Sequence, residues 1–222
     1  MSEIATIQEL FPEPVITWCC RIQDYTAELF KNELSVVSKA IDKRRFEFSC
    51  GRFCARKALH RMGQEPVPIL HGKNGRPVWP KGFVGSISHS SCWAGAAVSR
   101  SEQIFTLGFD IETIDRIKAP ILKRIVTTDE RSRINKMTGH ARQIYAALLF
   151  SAKEAFFKAF SSHYARPLRF KDISIIPKHN SAAFKIILNA DLTVFLKDHP
   201  DPVCRYKLYE KDIFTAITYP AE

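Results

Sequence analysis

Several features that would place this chain in a special class of protein are missing from its sequence. The first twenty residues include Glu3, Glu9 and Glu13 and no unbroken apolar stretch, so we expect no secretory signal peptide. The longest dense apolar run, Ile144 to Phe150, is far too short to cross a bilayer. No low-complexity tract interrupts the chain. We therefore expect a protein without a transmembrane segment, located in the cytoplasm.

The six cysteines lack the C-x-x-C spacing that is typical of structural zinc sites. Cys19 and Cys20 are neighbours, Cys50 and Cys54 lie one helical turn apart, and the other two stand alone. We expect reduced, mostly buried thiols, as in an intracellular protein.

Composition is that of an ordinary globular protein, with 222 residues, 45% of them hydrophobic. The charge is less ordinary, because 33 Lys and Arg oppose 23 Asp and Glu, giving +10. Such an excess favours a polyanionic partner, either nucleic acid, an acidic protein or a phosphorylated ligand. A surface kept basic for solubility explains the charge equally well.

Helical and strand-like patterns follow each other twice along the chain. Helical spacing is found over residues 27–40, 42–62, 129–136 (with Thr128 as the N-cap) and 141–160. Strands are predicted at 84–88, 93–99, 105–111, 172–176, 183–188, 192–196, 203–209 and 213–219. Helices followed by strands, twice over, indicate an α/β or α+β protein of two similar halves that meet near Leu107.

Two acidic residues stand near the end of a predicted strand, in Gly108-Phe109-Asp110-Ile111-Glu112. Alternate side chains of a strand share a face, so Asp110 and Glu112 point the same way. Neighbouring carboxylates repel unless a cation lies between them, and Mg²⁺ prefers hard oxygen ligands of this kind. An isolated D-x-E is more simply a solvated strand end, so this pattern alone decides nothing.

The long helix over 141–160 carries a second candidate pair, Glu154 and Lys158, which lie four residues apart on one face. This pair is either a surface ion pair or a metal ligand beside a phosphate-binding cation. The opposite face carries the apolar ridge that should anchor the helix: Tyr145, Leu149, Ala152, Phe156 and Phe160.

A third element is the strand end Gly85-Ser86-Ile87-Ser88-His89-Ser90. Ser88 and His89 can donate hydrogen bonds to phosphate oxygens. Alternatively, the serines cap the local backbone in a turn and the histidine is half-buried.

In chain order the three elements are Ser86-Ile87-Ser88-His89, then Gly108 to Glu112, then the helical K-E-A-x-x-K of residues 153–158. Together they resemble the three signature motifs of the surfactin-type phosphopantetheinyl transferases. The subgroup that includes the enterobactin synthase component is the most similar, because Arg44-Arg45-Phe46-Glu47-Phe48, Gly51-Arg52, Ala55-Arg56 and the loop over 72–80 also resemble it. The resemblance covers roughly residues 42–160. Phe150 stands where the family usually has tryptophan, and Phe109 where it usually has a smaller aliphatic residue. Both changes affect packing more than chemistry.

The resemblance implies a pseudo-two-fold pair of α/β subdomains with the active site in the cleft between them. We expect residues 1–106 to form the coenzyme A nucleotide side and residues 107–222 the side with the metal and the catalytic helix. The implied enzyme transfers the 4′-phosphopantetheine arm of coenzyme A to a serine of an apo acyl or peptidyl carrier protein and releases 3′,5′-ADP. Such carriers are typically acidic, which suits the +10 charge. The resemblance also implies an enzyme that works as a monomer.

The resemblance also implies a role for each matched residue. Asp110, Glu112 and Glu154 would hold Mg²⁺ against the pyrophosphate, and Glu154 is the candidate general base, directly or through water. Lys158 would neutralise the phosphate. The other expected coenzyme A contacts are Ser88 and His89 on the phosphate, Arg44 and Arg52 on the 3′-phosphate, and His71, Gly72, Lys73, Asn74 and Arg76 along the adenine side.

The sequence pattern places Arg52 in a helix but does not place Arg44 in the same helix. The two are eight residues apart, so one helix would separate them by about 12 Å along its axis. Phe46 and Phe48 at alternate positions interrupt the helical spacing. We therefore expect Arg44 on a loop before a helix that begins later.

Two other functions remain possible from the residues alone. A nucleic-acid-binding module would use the basic cluster Lys43, Arg44, Arg45, Arg52, Arg56, Lys57 and Arg61, although no known motif interleaves aromatics with it, and the resemblance implies no nucleic-acid partner. A metal phosphodiesterase would need ligands for a second metal, and only His89 lies nearby in the motifs.

Overall fold

The N-terminal half is built from a strand, a long helix and a hairpin. The computed structural model describes residues 5–22, 28–72, 75–160, 163, 167–178, 181–189 and 200–221. The elements of this half are β1 (Ile16–Arg21), α1 (Lys31–Val37), α2 (Asp42–Arg61), β2 (Phe83–His89) and β3 (Trp93–Arg100). Its antiparallel sheet has the strand order β1-β3-β2, and α2 packs across one face.

The C-terminal half repeats this order with longer insertions. Its elements are β4 (Ile104–Thr113), α3 (Ala119–Ile125), α4 (Thr128–Ile134), α5 (Gly139–Phe160), β5 (Ile173–Pro177), β6 (Phe184–Leu188), β7 (Val203–Tyr209) and β8 (Asp212–Pro220). Its main sheet has the order β4-β8-β7, with α5 packed on it, while β5 and β6 form a separate pair. In both halves the first strand therefore pairs with the last strand of a hairpin.

The predicted α+β protein with two similar halves is confirmed, and its sheets are antiparallel. The predicted order within each half was wrong, because the strand β1 or β4 precedes the long helix of its half; a short 3-10 helix, Ala5–Leu10, comes before β1. The sequence pattern missed β1, in which Cys19 and Cys20 are both buried and interrupt the alternation of inward and outward residues. The N-cap of α4 is Thr127 rather than Thr128. The predicted strand over 192–196 lies outside the described residues.

Two glycines allow the long helices to approach the strands that carry the site. A Cβ on Gly108 in β4 would lie only 1.8 Å from the carbonyl oxygen of Ala155 in α5. A Cβ on Gly51 in α2 would lie 2.8 Å from a methyl carbon of Ile87 in β2. Because only glycine fits at such distances, α5 lies directly over β4 and α2 lies close to β2. The apolar ridge predicted on α5 is buried along its whole length.

The expectation that Arg44 lies on a loop was wrong. Helix α2 begins at Asp42 and continues without interruption to Arg61, so Arg44 is in its first turn. Phe46 is exposed while Phe48 is buried. The two rings therefore lie on different faces of one regular helix.

The expectation of mostly buried thiols is confirmed. None of the six cysteines forms a disulfide, and five are buried while Cys92 is partly exposed. In the described part of the chain, no helix combines the length and the apolar composition that a membrane span requires.

Candidate active site

Two serines of β2 bridge the halves where β2 lies beside β4, although the two strands belong to different sheets. The Ser86 hydroxyl accepts a hydrogen bond from the backbone N–H of Phe109 at 3.0 Å. The Ser88 hydroxyl accepts from the N–H of Ile111 at 3.1 Å and donates to Asp110 Oδ1 at 2.9 Å. Both serines are buried. Ser86 and Ser88 therefore join the two halves, whereas Ser90 caps the local turn, since its hydroxyl accepts from the N–H groups of Cys92 and Trp93 at 3.2 Å.

The ammonium of Lys158 reaches from α5 into this junction. It donates to Asp110 Oδ1 at 2.7 Å, to Ser88 Oγ at 2.8 Å and to the carbonyl oxygen of Phe109 at 3.1 Å. These acceptors use all three of its N–H donors. The closest acidic partner of Lys158 is thus Asp110 on the neighbouring strand, not Glu154 on its own helix.

Three carboxylates face the same cavity. Asp110 is 3% and Glu112 is 9% exposed, and each has one buried oxygen, Oδ2 and Oε2 respectively, without a hydrogen-bond partner. Burial, and secondly the charge of Asp110, raises the pKa of Glu112 to about 7. The same two causes raise the pKa of Glu154, and Lys158 opposes that shift. The site therefore concentrates negative charge in a place with little water.

A hard cation fits this donor set in part. It would supply the missing partner of the two buried carboxylate oxygens. Nevertheless, no three His, Cys, Asp or Glu side chains converge as a ready-made metal site among the described residues. The carboxylates thus offer an incomplete shell, which suits a Mg²⁺ ion that keeps several ligands from phosphate and water. Ligands for a second metal, as a two-metal phosphodiesterase needs, are likewise absent from the described residues.

Arg44, Glu47 and His89 of the N-terminal half form a cluster that also lines the cavity. Arg44 Nη1 lies 2.9 Å from His89 Nε2, and Glu47 Oε2 lies 3.6 Å from Arg44 Nη1 and 3.7 Å from His89 Nδ1. Burial lowers the pKa of His89, as do Lys158 and Arg44, while Glu47 raises it. This trio joins the first turn of α2 to the end of β2.

Arg52 is held rigidly and is almost fully buried, at 4% exposure. Its Nε donates to the carbonyl oxygen of Ile69 at 2.8 Å, and its guanidinium lies over the ring of Phe48 at 4.3 Å. Its Nη2 is buried without a partner. Burial lowers the pKa of Arg52 to about 10. Burial, and then the charges of Arg52 and Arg44, lowers the pKa of nearby His71. A buried cation with an unused donor is well prepared to bind an anion.

One cavity of about 320 Å³ brings most of the predicted residues together. Those that line it are Arg44, Arg52, His71, Ser88, His89, Asp110, Glu112, Glu154 and Lys158. Gly72 and Arg76 do not line it: the Gly72 N–H donates to the Arg76 carbonyl at 2.8 Å, and Arg76 lines an adjoining cavity of about 420 Å³. Lys73 and Asn74 lie outside the described residues.

The structure adds to the site several residues to which the motifs assigned no role. Glu47, Phe48 and Gly51 of α2 line the cavity, as do Ile87 and Arg116. Glu47 is three residues after Arg44, so helical spacing would have placed both on one face had the helix been predicted to include Arg44. Arg116 Nη1 lies 3.6 Å from Glu112 Oε2, across a turn that no sequence pattern indicated.

The basic cluster of α2 is not one continuous surface. Arg44 and Arg52 face the cavity, whereas Arg56 donates to Glu33 at 2.9 Å. Arg45 donates to the carbonyl oxygens at the end of α1, and Lys57 and Arg61 lie near the ring of Trp18. The side chains thus serve separate contacts, which weakens the hypothesis of a nucleic-acid-binding face.

The stretches that carry the motifs match two models of known protein families. The model of the 4′-phosphopantetheinyl transferase N-terminal domain matches residues 32–99, and that of the 4′-phosphopantetheinyl transferase superfamily matches residues 106–208. Enterobactin synthase component D of Salmonella typhimurium is 32% identical over 166 residues, which cover 71% of this chain and 68% of that protein. The chain belongs to the 4′-phosphopantetheinyl transferase superfamily.

Two other relatives in the superfamily are more similar over shorter stretches. The 4′-phosphopantetheinyl transferase Svp of Streptomyces mobaraensis is 38% identical over 62% of this chain and 56% of its own length. PptT of Mycobacterium tuberculosis is 38% identical over 64% of this chain and 63% of its own. The matches to these relatives therefore span only about three fifths of their length. A holo-(acyl-carrier-protein) synthase from Bacillus anthracis, solved with CoA (3′,5′-ADP), matches 54% of this chain and 99% of its own at 20% identity, with a TM-score of 0.44.

Proposed function

We propose that this protein transfers the 4′-phosphopantetheine group of coenzyme A to a serine of an apo carrier protein in a Mg²⁺-dependent reaction that releases 3′,5′-ADP. One observation carries the proposal: in a member of this superfamily, a single cavity is lined by Arg44 and Arg52 from one half and by Lys158 and three carboxylates from the other. Such an arrangement suits a polyanionic substrate whose phosphorus must be attacked beside a metal ion.

The cations have separate tasks in this proposal. Arg44 and Arg52 bind the 3′-phosphate, and the unused Nη2 of Arg52 supports that role. Ser88, His89 and Lys158 bind the pyrophosphate. To do so, Lys158 exchanges part of its contact with Asp110 and Ser88 for phosphate oxygens. His71, Gly72 and Arg76, together with Lys73 and Asn74, form the adenine side.

The carboxylates hold the metal ion and accept the proton. Asp110, Glu112 and Glu154 would hold Mg²⁺, which supplies charge neutralisation for the pyrophosphate when bound. Glu154 takes the proton of the carrier serine, directly or through water, and burial, which raises its pKa, makes it a stronger base than a solvated carboxylate. The serine oxygen then bonds to the phosphopantetheine phosphorus, and the bond from that phosphorus to the bridging oxygen breaks. The bridging oxygen leaves with 3′,5′-ADP.

The assignment of the halves follows from the same proposal. Residues 1–106 form the coenzyme A nucleotide side, and residues 107–222 form the side with the metal and the catalytic helix. We further propose acidic apo acyl or peptidyl carriers as partners and a monomeric enzyme located in the cytoplasm. The +10 charge supports the choice of acidic partners, and six cysteines without a disulfide suit a reducing compartment.

The test is intact-mass analysis of an apo carrier protein after incubation with this protein, coenzyme A and Mg²⁺. We expect a mass gain of one phosphopantetheine, lost when Mg²⁺ is chelated and lost when the acceptor serine of the carrier is changed to alanine. Release of 3′,5′-ADP without a mass gain would instead indicate a phosphodiesterase. Tight, steeply salt-dependent binding of non-specific DNA, with no transfer to any of several carriers, would favour the nucleic-acid hypothesis.

A further inference from the structure

Glu47 is an unexpected residue in a cavity that suits a polyanion. It lines the same cavity as the three candidate metal ligands and lies beside Arg44 of α2 and His89 of β2. Its side chain is only 14% exposed. An acidic group in this position repels a phosphate, so it requires a reason beyond an ordinary pairing of two neighbours on a helix.

The hydrogen bond between Arg44 and His89 restricts what Glu47 can do. A guanidinium only donates, so His89 Nε2 must accept from Arg44 Nη1 at 2.9 Å. The imidazole is then neutral, with its single proton on Nδ1. That nitrogen is the one that lies 3.7 Å from Glu47 Oε2. Glu47 thus faces the donor nitrogen of His89 and, at 3.6 Å, the guanidinium of Arg44.

We propose that Glu47 is a positioning residue that orients His89 and Arg44 together for the phosphates of coenzyme A. The inference rests on the proposed function and extends it to a residue that makes no contact with the substrate. By attracting the Nδ1 side of the imidazole, Glu47 keeps Nε2 directed into the cavity. By attracting Arg44, it holds an otherwise mobile side chain, 46% exposed, at the same edge.

The arrangement also brings two predicted phosphate positions side by side. Arg44 was assigned to the 3′-phosphate and His89 to the pyrophosphate, and in the structure their side chains touch. An incoming nucleotide can displace the Arg44–His89 hydrogen bond; Arg44 then donates to a phosphate oxygen, and His89 Nε2 does so after taking up a proton, which the nearby phosphate and Glu47 charges favour. The charged groups that influence His89 are Glu47 and Arg44 from α2, Asp110 from β4 and Lys158 from α5. Of these, Glu47 is the carboxylate that lies near both Arg44 and His89.

The experiment is a thermodynamic double-mutant cycle on coenzyme A binding, measured by calorimetry with the full chain. The variants are Glu47→Gln, His89→Ala and the double variant, with the exposed Glu102→Gln as the matched control. We expect Glu47→Gln to weaken coenzyme A about five- to twentyfold, whereas Glu102→Gln changes nothing. In the His89→Ala background, Glu47→Gln should weaken binding no more than about twofold, because only the more exposed Arg44 is left for Glu47 to hold. In carrier labelling, Glu47→Gln should raise the KM for coenzyme A and leave kcat unchanged.

Two results would overturn the inference. Tighter coenzyme A binding by Glu47→Gln would mean that charge repulsion dominates, and equal weakening in both backgrounds would mean that Glu47 does not act through His89. Glu47→Asp adds a further measurement, since a shorter carboxylate should restore part of the affinity if charge at this position matters. Failure of the proposed function is distinguishable, because the wild-type protein would then bind coenzyme A weakly or would label no carrier.

Discussion

The two halves share an internal ion pair at matching places, and they differ in how deeply they bury it. In the N-terminal half, Glu33 accepts from Arg56 on the long helix, from the N–H of Phe30 at the start of α1 and from the N–H of Ile69 after the helix. In the C-terminal half, the corresponding contacts of Glu130 are Lys153 on α5, the N–H of Thr127 at the start of α4 and the N–H of Ile175. A buried glutamate thus ties a short helix, a long helix and a later segment together in both halves.

The difference lies in the cation. Lys153 is fully buried and also donates to the carbonyl oxygens of Ile125 and Phe170, whereas Arg56 keeps 13% of its side chain exposed. Lys153, the first residue of the Lys153-Glu154-Ala155 motif, is therefore a structural residue that fixes α5, while the adjacent Glu154 faces the cavity. The C-terminal half, with buried carboxylates and a buried lysine, is built for rigidity. The N-terminal half presents the buried Arg52 and the partly exposed Arg44 to the cavity, and both suit recognition of an anion.

This comparison predicts that damage to the C-terminal half removes chemistry, and the largest effect should come from Asp110→Ala. Asp110 is the shared acceptor of Lys158 and Ser88 as well as a candidate metal ligand. We expect carrier labelling to fall at least about a thousandfold, about 4 kcal/mol. Excess Mg²⁺ should not restore it, and circular dichroism should stay unchanged. Wild-type turnover in a folded variant would contradict the metal assignment.

Removing the cation of each buried ion pair should lower the free energy of unfolding more for the C-terminal pair than for the N-terminal pair. Lys153→Met leaves Glu130 charged and buried, and we expect it to lower the free energy of unfolding by about 3–5 kcal/mol. Arg56→Met should cost clearly less, because water still reaches that site. The double variant Lys153→Met with Glu130→Leu should recover only part of the loss, because the N–H groups of Thr127 and Ile175 then lose their acceptor. Denaturant unfolding measures all of these, and equal losses for Lys153→Met and Arg56→Met would contradict the difference between the halves.

A buried carboxylate also predicts a pH dependence of stability. The pKa of Glu112 rises from 4.5 to about 7 on folding, so the folded state binds the extra proton between these values. Stability from this group is therefore complete below about pH 4.5 and is lost as the pH rises through about 7, by up to about 3 kcal/mol. Compared with Glu112→Gln in metal-free buffer, the wild type should become progressively less stable over that range. Parallel stability curves for the two proteins would show that Glu112 does not titrate in this way.

Substitutions of two neighbouring residues on α5, Glu154 and Lys158, should change different kinetic constants. Glu154→Gln removes the candidate base, so we expect kcat for carrier labelling to fall about a hundredfold with little change in the KM for coenzyme A. Lys158→Ala removes a phosphate-binding cation and should mainly raise that KM. Steady-state kinetics distinguish the two. Small losses for both, as expected of an exposed ion pair, would show that neither residue acts in the reaction.

The smallest effects on activity should come from substitutions of the two arginines that would bind the 3′-phosphate. Arg52→Ala should raise the KM for coenzyme A about tenfold and reduce the preference for coenzyme A over its form without the 3′-phosphate. Arg44→Ala should do the same more weakly, because its side chain is more exposed. The exposed Lys43→Ala, on the same helix, is the control. An unchanged preference in both arginine variants would remove them from the 3′-phosphate site.

The sequence alone determined the motifs and the type of each half. Gly85 to Ser90, Gly108 to Glu112 and Lys153 to Lys158 were recognisable because their order and spacing are those of the superfamily. Most strands and both long helices were also predictable, since amphipathic periodicity is a local property. β1 was missed because adjacent buried cysteines break that periodicity, and Arg44 was misplaced because two phenylalanines on different helix faces were interpreted as a break.

Only the tertiary structure decided which charged groups meet. No local pattern shows that Lys158 pairs with Asp110, that Glu47 lies beside His89, or that Lys153 is buried against Glu130. Each of these pairs joins residues more than twenty positions apart, so it exists only after the strands and helices pack. The physical reason is that charge interactions depend on distance and burial, and both are properties of the folded chain.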